Sequence, residues 1–183
     1  MRNGSGRIIP AVVGGGLLAL LALLAVAMTQ GVGGLVEGRS DGAQQAPDFS
    51  LAQLDGPMFS LAQEPDRPVF LYFWASWCIP CEAEAPVIES LWPEYRDRGW
   101  AFLGVNIWDR EADARAFVDR LGLSFPVARD EEGSVYLDYG VQALPTAFFI
   151  TPGGRIHARY DGQLTEPTLR SLLDEVSAST GVK

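Results

Sequence analysis

The sequence is short of the residues that build metal centres and cross-linked scaffolds. Its 183 residues include two cysteines and a single histidine, His157. Three such side chains cannot complete a four-ligand Cys/His zinc site without a carboxylate. Two cysteines in a chain of this length also exclude a disulfide-dense mini-scaffold. Positive charge is scarce too. Fourteen basic residues face twenty-three acidic ones, for a net charge of −9, and Lys183 is the only lysine. Binding to a nucleic-acid backbone needs a basic face, so no nucleic-acid partner is expected. A chain that is 48% hydrophobic and 20% charged is not a disordered tail. No internal repeat is visible.

Charge is also missing from one long stretch. Ile8 to Met28 is a run of 21 residues without an ionisable side chain, preceded by Arg2 and Arg7. As a helix it would span ~32 Å, enough to cross a hydrocarbon core. The positive-inside rule then leaves the N-terminus in the cytoplasm and the acidic remainder outside. A cleaved signal peptide is the rival reading, with Ala25 and Ala27 as small residues at a cleavage site. The length of the run favours a retained anchor over residues 1–28. Both readings export the rest of the chain, to a compartment where thiols tend to be oxidised.

Residues 29–46 are rich in Gly, Gln and Ser and read as a flexible tether. A domain is expected over 47–178, followed by a short tail at 179–183. Within it, DFSLAQLDGPMFSLA reads as two short strands about Asp55-Gly56. Val69–Trp74 is a continuous apolar run, as in a central strand buried on both faces. A helix follows from about Ile79 to Arg96, in which Pro80 fits the first turn while Pro86 and Pro93 should kink or interrupt it. Ala101–Trp108 is a second strand. READARAFVDRLG is an amphipathic helix with Ala112, Ala116, Val118 and Leu121 as inward positions and Gly122 as its stop. Phe125–Asp130 reads as a short extended segment and GSVYLDYG as a short helix. Thr146–Thr151 and Arg155–Tyr160 form a hairpin, and a closing helix starts from a Thr165 cap. This alternation implies an α/β sandwich with a central, partly parallel sheet.

The richest stretch is Trp77-Cys78-Ile79-Pro80-Cys81. A Cys-x-x-Cys that follows a buried strand and opens a helix places its first thiol where unpaired N–H groups and the helix dipole favour a thiolate. The second thiol, one turn on, can close a small ring and release a mixed disulfide. A structural staple is the weaker reading, because so short a loop constrains little unfolded-state entropy. Half of a metal site is weaker still, without a second cysteine pair. Trp74 is expected in the core and Trp77 at the surface.

FLYFWASWCIPCEAEAP, together with APDFSLAQLDG and YGVQALPTAFFITPGGRI, resembles the thioredoxin superfamily. More narrowly it is similar to the TlpA/ResA-like, AhpC/TSA-related, membrane-anchored thiol–disulfide oxidoreductases of bacteria. The resemblance covers about residues 46–178. It implies a thioredoxin-like fold with a mixed sheet flanked by helices, an N-terminal β-hairpin extension and one transmembrane helix. It makes Cys78 the attacking and Cys81 the resolving cysteine. Pro145 matches the family's cis-proline, which would present the backbone of Leu144 to a substrate peptide, and Trp77, Ile79 and Pro80 would share that contact. Glu84 matches a glutamate of the related reductases that accepts or relays a proton. Many thioredoxins carry a buried aspartate where this sequence has Tyr72, so that role does not transfer. The resemblance further implies reduction of protein disulfides, apocytochrome c cysteines among them, with electrons from a membrane donor of the DsbD/CcdA type and no cofactor or metal. Two alternatives remain at this level. One is a thiol peroxidase, against which the tight CIPC pair argues. The other is a binding module for metal or partner, for which His157 is badly placed.

Overall fold

A computed structural model describes residues 44–181. Seven strands and four helices alternate: β1 (Ser50–Leu51), β2 (Phe59–Ser60), β3 (Val69–Trp74), α1 (Ile79–Asp97), β4 (Ala101–Ile107), α2 (Glu111–Leu121), β5 (Val127–Asp130), α3 (Ser134–Asp138), β6 (Thr146–Thr151), β7 (Arg155–Asp161) and α4 (Glu166–Thr180). Five strands make one sheet in the order β5-β4-β3-β6-β7. β3 pairs parallel with β4, and β4 with β5, whereas β6 runs antiparallel to both β3 and β7. The sheet is therefore mixed, as in the thioredoxin-like fold. β1 and β2 pair with each other, antiparallel.

β3 lies at the centre, and all six of its side chains are buried, which is why its sequence is apolar without alternation. Phe70, Tyr72 and Trp74 point to a core built with α1, α2 and α4. Val69, Leu71 and Phe73 point to the other side, where Phe59, Leu61, Tyr136 and Tyr139 pack. Gly104 of β4 makes room for this packing: a Cβ there would sit 3.0 Å from both the Trp74 indole nitrogen and the Phe125 ring.

Two expectations about the helices need correction. α1 runs unbroken through Pro86 and Pro93. Both prolines are on its exposed side, so the carbonyls they leave without a donor can turn to water. Ala85, Ile88, Leu91 and Tyr95 hold the opposite side in the core. In α2 the buried positions are Ala114 and Phe117, with Val118 and Leu121 half-buried, while Ala112 and Ala116 are exposed. Phe117 carries far more burial energy than either alanine and sets the helix's rotation. Gly122 ends α2 in the left-handed conformation.

Backbone pairing begins ahead of Pro47. Ala46 N–H donates to Gly154, Ile156 N–H donates to Gln44, and Gln45 bridges Arg155. At the other end α4 continues through Ser179 and Thr180. The apolar run at residues 8–28, and with it the expected membrane helix, lies outside the described residues. Among those described, no helix is long and apolar enough to cross a membrane.

Candidate active site

β3 delivers the chain to a four-residue turn, Ala75–Cys78, and α1 starts immediately after it. Cys78 is the N-cap of α1: its backbone N–H donates to Ala75, and its sulfur accepts from the Cys81 N–H at 3.3 Å. Ile79 and Pro80 fill the first turn, where the missing N–H of proline costs nothing. Cys78 and Cys81 are joined by a disulfide, their Cα atoms 5.2 Å apart. Cys78 is 5% exposed and Cys81 is fully buried, so incoming sulfur can meet only Cys78. After reduction, the Cys81 N–H and the helix N-terminus are positioned to hold Cys78 as a thiolate.

The turn is clamped from β4. Asp109 accepts hydrogen bonds from the Ser76 N–H (2.7 Å), the Ser76 hydroxyl (2.8 Å) and Asn106 Nδ2 (2.6 Å). Asp109 lies well away in sequence and reads there as an ordinary turn residue, so nothing in the sequence marks it. Removing a charged acceptor shared by three donors costs about 1–3 kcal/mol. Asp109→Ala is accordingly expected to lower the urea midpoint and to speed alkylation of reduced Cys78 as the turn loosens. Thermal or urea unfolding, with thiol labelling, checks both.

An apolar groove of about 450 Å³ opens beside Cys78. Trp77, Ile79 and Pro80 contribute from the start of α1, Gln142, Ala143 and Leu144 from the segment before β6, and Trp108 and Tyr136 complete it. None of these side chains is charged. Trp77 and Ile79 are 57% and 82% exposed. Trp108 stacks parallel on Trp77, with ring centres 6.4 Å apart, and meets Tyr136 at 4.8 Å. Its φ of 57° is left-handed, unlike that of any other non-glycine described. Such a conformation persists only where the surroundings over-determine it, and such residues cluster at functional sites. Sequence reasoning has no signal for Trp108.

The Leu144–Pro145 peptide is cis. The Thr146 hydroxyl lies 2.9 Å from the Ala143 carbonyl and 2.8 Å from Asp161 Oδ1, and Gly162 N–H donates to the Pro145 carbonyl. The connection from β7 to α4 thus supports the proline loop. The same connection supports Glu84. Leu164 N–H donates to Glu84 Oε2 at 2.5 Å, while Glu84 Oε1, fully buried, has no partner. Burial pushes the Glu84 carboxyl from 4.5 up to about 7, against the opposing pull of the Leu164 N–H and the Tyr72 hydroxyl. Tyr72 hydroxyl donates to the Cys81 carbonyl at 3.2 Å, and burial pushes its own ionisation well above the ordinary value.

The residues singled out in the sequence therefore gather at one end of the sheet. Cys78, Trp77, Ile79, Pro80 and Leu144 share the groove, Pro145 follows directly, and Cys81 and Glu84 lie on the buried face of α1. His157 is elsewhere, exposed on β7 with Nε2 3.9 Å from Glu175. Among the described residues, no three Cys, His, Asp or Glu side chains converge to hold a metal ion.

Residues 43–159, most of the domain, with Cys78, Cys81, Glu84 and Pro145 among them, match the model of the AhpC/TSA family. The chain belongs to the AhpC/TSA family. Within it, the chain is 36% identical over 131 residues to the thiol-disulfide oxidoreductase ResA of Geobacillus thermodenitrificans, covering 72% of this chain and 75% of that protein. It is 37% identical to the ResA of Halalkalibacterium halodurans, covering 72% and 74%. Among solved structures, a Chlorobium tepidum protein carrying the name thiol:disulfide interchange protein DsbE superposes with a TM-score of 0.66. It is 30% identical, over 73% of this chain and 98% of that one. With its Cys78–Cys81 disulfide, this AhpC/TSA member is a thiol–disulfide oxidoreductase of the ResA/DsbE type, acting on protein thiols and disulfides.

Proposed function

We propose that the protein reduces disulfides of exported proteins outside the cytoplasm, tethered by residues 8–28, with apocytochrome c cysteines as one substrate. The observation that carries this reading is the asymmetry of the pair. One sulfur faces an uncharged groove, the other is sealed on the buried face of α1, and a carboxyl that titrates near neutrality lies one turn further on. Cys78 thiolate attacks a substrate disulfide, the substrate S–S bond breaks with one of its sulfurs leaving as a thiolate, and a mixed disulfide forms. Glu84 carboxylate takes the proton of Cys81, and the Cys81 thiolate attacks Cys78. The Cys78–Cys81 bond forms, the bond to substrate breaks, and the substrate sulfur leaves with the electron pair. Substrate is reduced and the protein oxidised. A membrane dithiol carrier of the DsbD/CcdA type then restores the dithiol by the same exchange.

The direction of electron flow is tested by the reduction potential of the full-length protein equilibrated against glutathione or dithiothreitol. The expected value is around −250 mV or below, near thioredoxin on the scale. A value near −120 mV, where DsbA lies, would make the protein an oxidant and reverse the assignment. Carbonate extraction of membranes tests the tether, with the protein expected in the pellet.

A further inference from the structure

The Tyr72 hydroxyl and the Glu84 carboxyl are sealed on the buried side of α1, and once the carboxyl is charged they have one proton between them. Tyr72 sits in the middle of β3 and is 1% exposed. Its neighbours in the strand are Leu71 and Phe73, and a phenylalanine would fill the same space without burying a hydroxyl. That hydroxyl donates to the Cys81 carbonyl. Cys81 lies inside α1, where its carbonyl already has the Ala85 N–H as its ordinary helical donor, so the bond from Tyr72 is dispensable to it. One turn along, Glu84 Oε1 is buried with no hydrogen-bond donor among the described residues. A phenol has one proton to give, and a carboxylate is the stronger acceptor.

We infer that Tyr72 is a positioning residue for Glu84: its hydroxyl turns from the Cys81 carbonyl to Glu84 Oε1 when that carboxyl is charged, and so sets the pH at which Glu84 can take the Cys81 proton. The inference rests on the acid–base role proposed for Glu84. The groups facing Glu84 are few. Tyr72 comes from β3 and Cys81 from α1 itself, and the β7–α4 connection offers only the main-chain Leu164 N–H. Among the described residues, no other charged side chain acts on either Tyr72 or Glu84. Tyr72 keeps its proton throughout, because burial and the Glu84 charge both oppose its loss. The balance of the step is unchanged. Cys81 loses a proton, Glu84 gains it, and Tyr72 changes only its acceptor.

The test uses the reduced full-length protein and dithiobis-nitrobenzoate. Cys78 attack releases one thionitrobenzoate, and closure by Cys81 releases a second. In the wild type the second phase is expected to rise through a limb near neutral pH. Tyr72→Phe is expected to move that limb upward by about half a unit to one unit, the effect of losing a hydrogen bond to a charged group less the neutral bond to the Cys81 carbonyl that it replaces. The second phase at pH 7 then slows about two- to fivefold, with the first phase unchanged. Glu84→Gln is expected to remove the limb, and adding Tyr72→Phe to it to change nothing more. An unmoved limb in Tyr72→Phe, with the limb lost in Glu84→Gln, overturns the inference and leaves the role of Glu84 standing. A limb that survives Glu84→Gln overturns both. Should Tyr72→Phe fail to fold, carbon-13 at tyrosine Cζ reports on the wild type. The Tyr72 signal is expected to shift with the Glu84 titration and to lose that shift in Glu84→Gln. A flat Tyr72 signal overturns the inference.

Discussion

Cys81→Ser is expected to leave the protein covalently attached to its substrates. Cys78 keeps its helix N-terminus, its groove and its access to solvent, so the first attack proceeds. The second does not, because the sulfur that should close the ring is gone. A thiol held one turn away acts at an effective concentration far above that of any free thiol. Its loss is expected to slow release at least about a thousandfold. Non-reducing gels should show adducts that dithiothreitol dissolves and that are missing from a Cys78→Ser, Cys81→Ser double variant. Intact function in Cys81→Ser, without adducts, would mean that the domain binds partners without exchanging disulfides.

Glu84→Gln is expected to move activity and stability in opposite directions. The amide can still accept the Leu164 N–H but cannot take a proton, so closure by Cys81 should slow about 10²- to 10⁴-fold, the usual range for a lost general base. Stability follows from the sign of the shift. The folded carboxyl holds its proton up to about pH 7, whereas the unfolded one releases it near 4.5. Between these values the folded state binds more protons, so the stability of the wild type falls as pH rises through that window. The loss reaches about 3 kcal/mol above it. Glu84→Gln carries no such charge. It should match the wild type near pH 4.5 and exceed it above pH 7. Urea midpoints across this range decide the matter, and equal slopes in both proteins would contradict the burial of a charge at this position.

Much of the framework is readable from residue order alone, and the reasons are specific. Val69–Trp74 announces a central strand because both its faces are covered. The start of α1 is marked by Cys78 and Pro80, its end only approximately. The rotation of α2 differs from the expected one because its alanines carry little information about facing, whereas Phe117, between the expected positions, decides it. Pro86 and Pro93 read as breaks because sequence does not say which side of a helix meets water. Cys78 and Cys81 are legible from their spacing and setting, while Pro145 and Glu84 come from resemblance. Asp109, Trp108 and the Leu164 N–H are not legible, since each acts on the site across tens of residues of intervening chain. Tyr72 stands out only as a departure from the thioredoxin pattern, and its contact with the Cys81 carbonyl is a tertiary fact.

The register of the sheet has a geographical consequence. Phe73, just before the redox turn, pairs with Thr146, and Thr146 with Asp161, whereas Val69 pairs with Ile150 and Ile150 with Ile156. The strands therefore have a redox pole, at Thr146 and Asp161, and a far pole, at Ile150 and Ile156. Gln44–Ala46 joins the sheet at the far pole, beside Gly154, Arg155 and Ile156. Six residues of strand separate the two ends, about 20 Å. Chain arriving from the N-terminal side thus enters the domain at the pole opposite the disulfide. A client disulfide that reaches Cys78 therefore arrives at the pole opposite Gln44–Ala46.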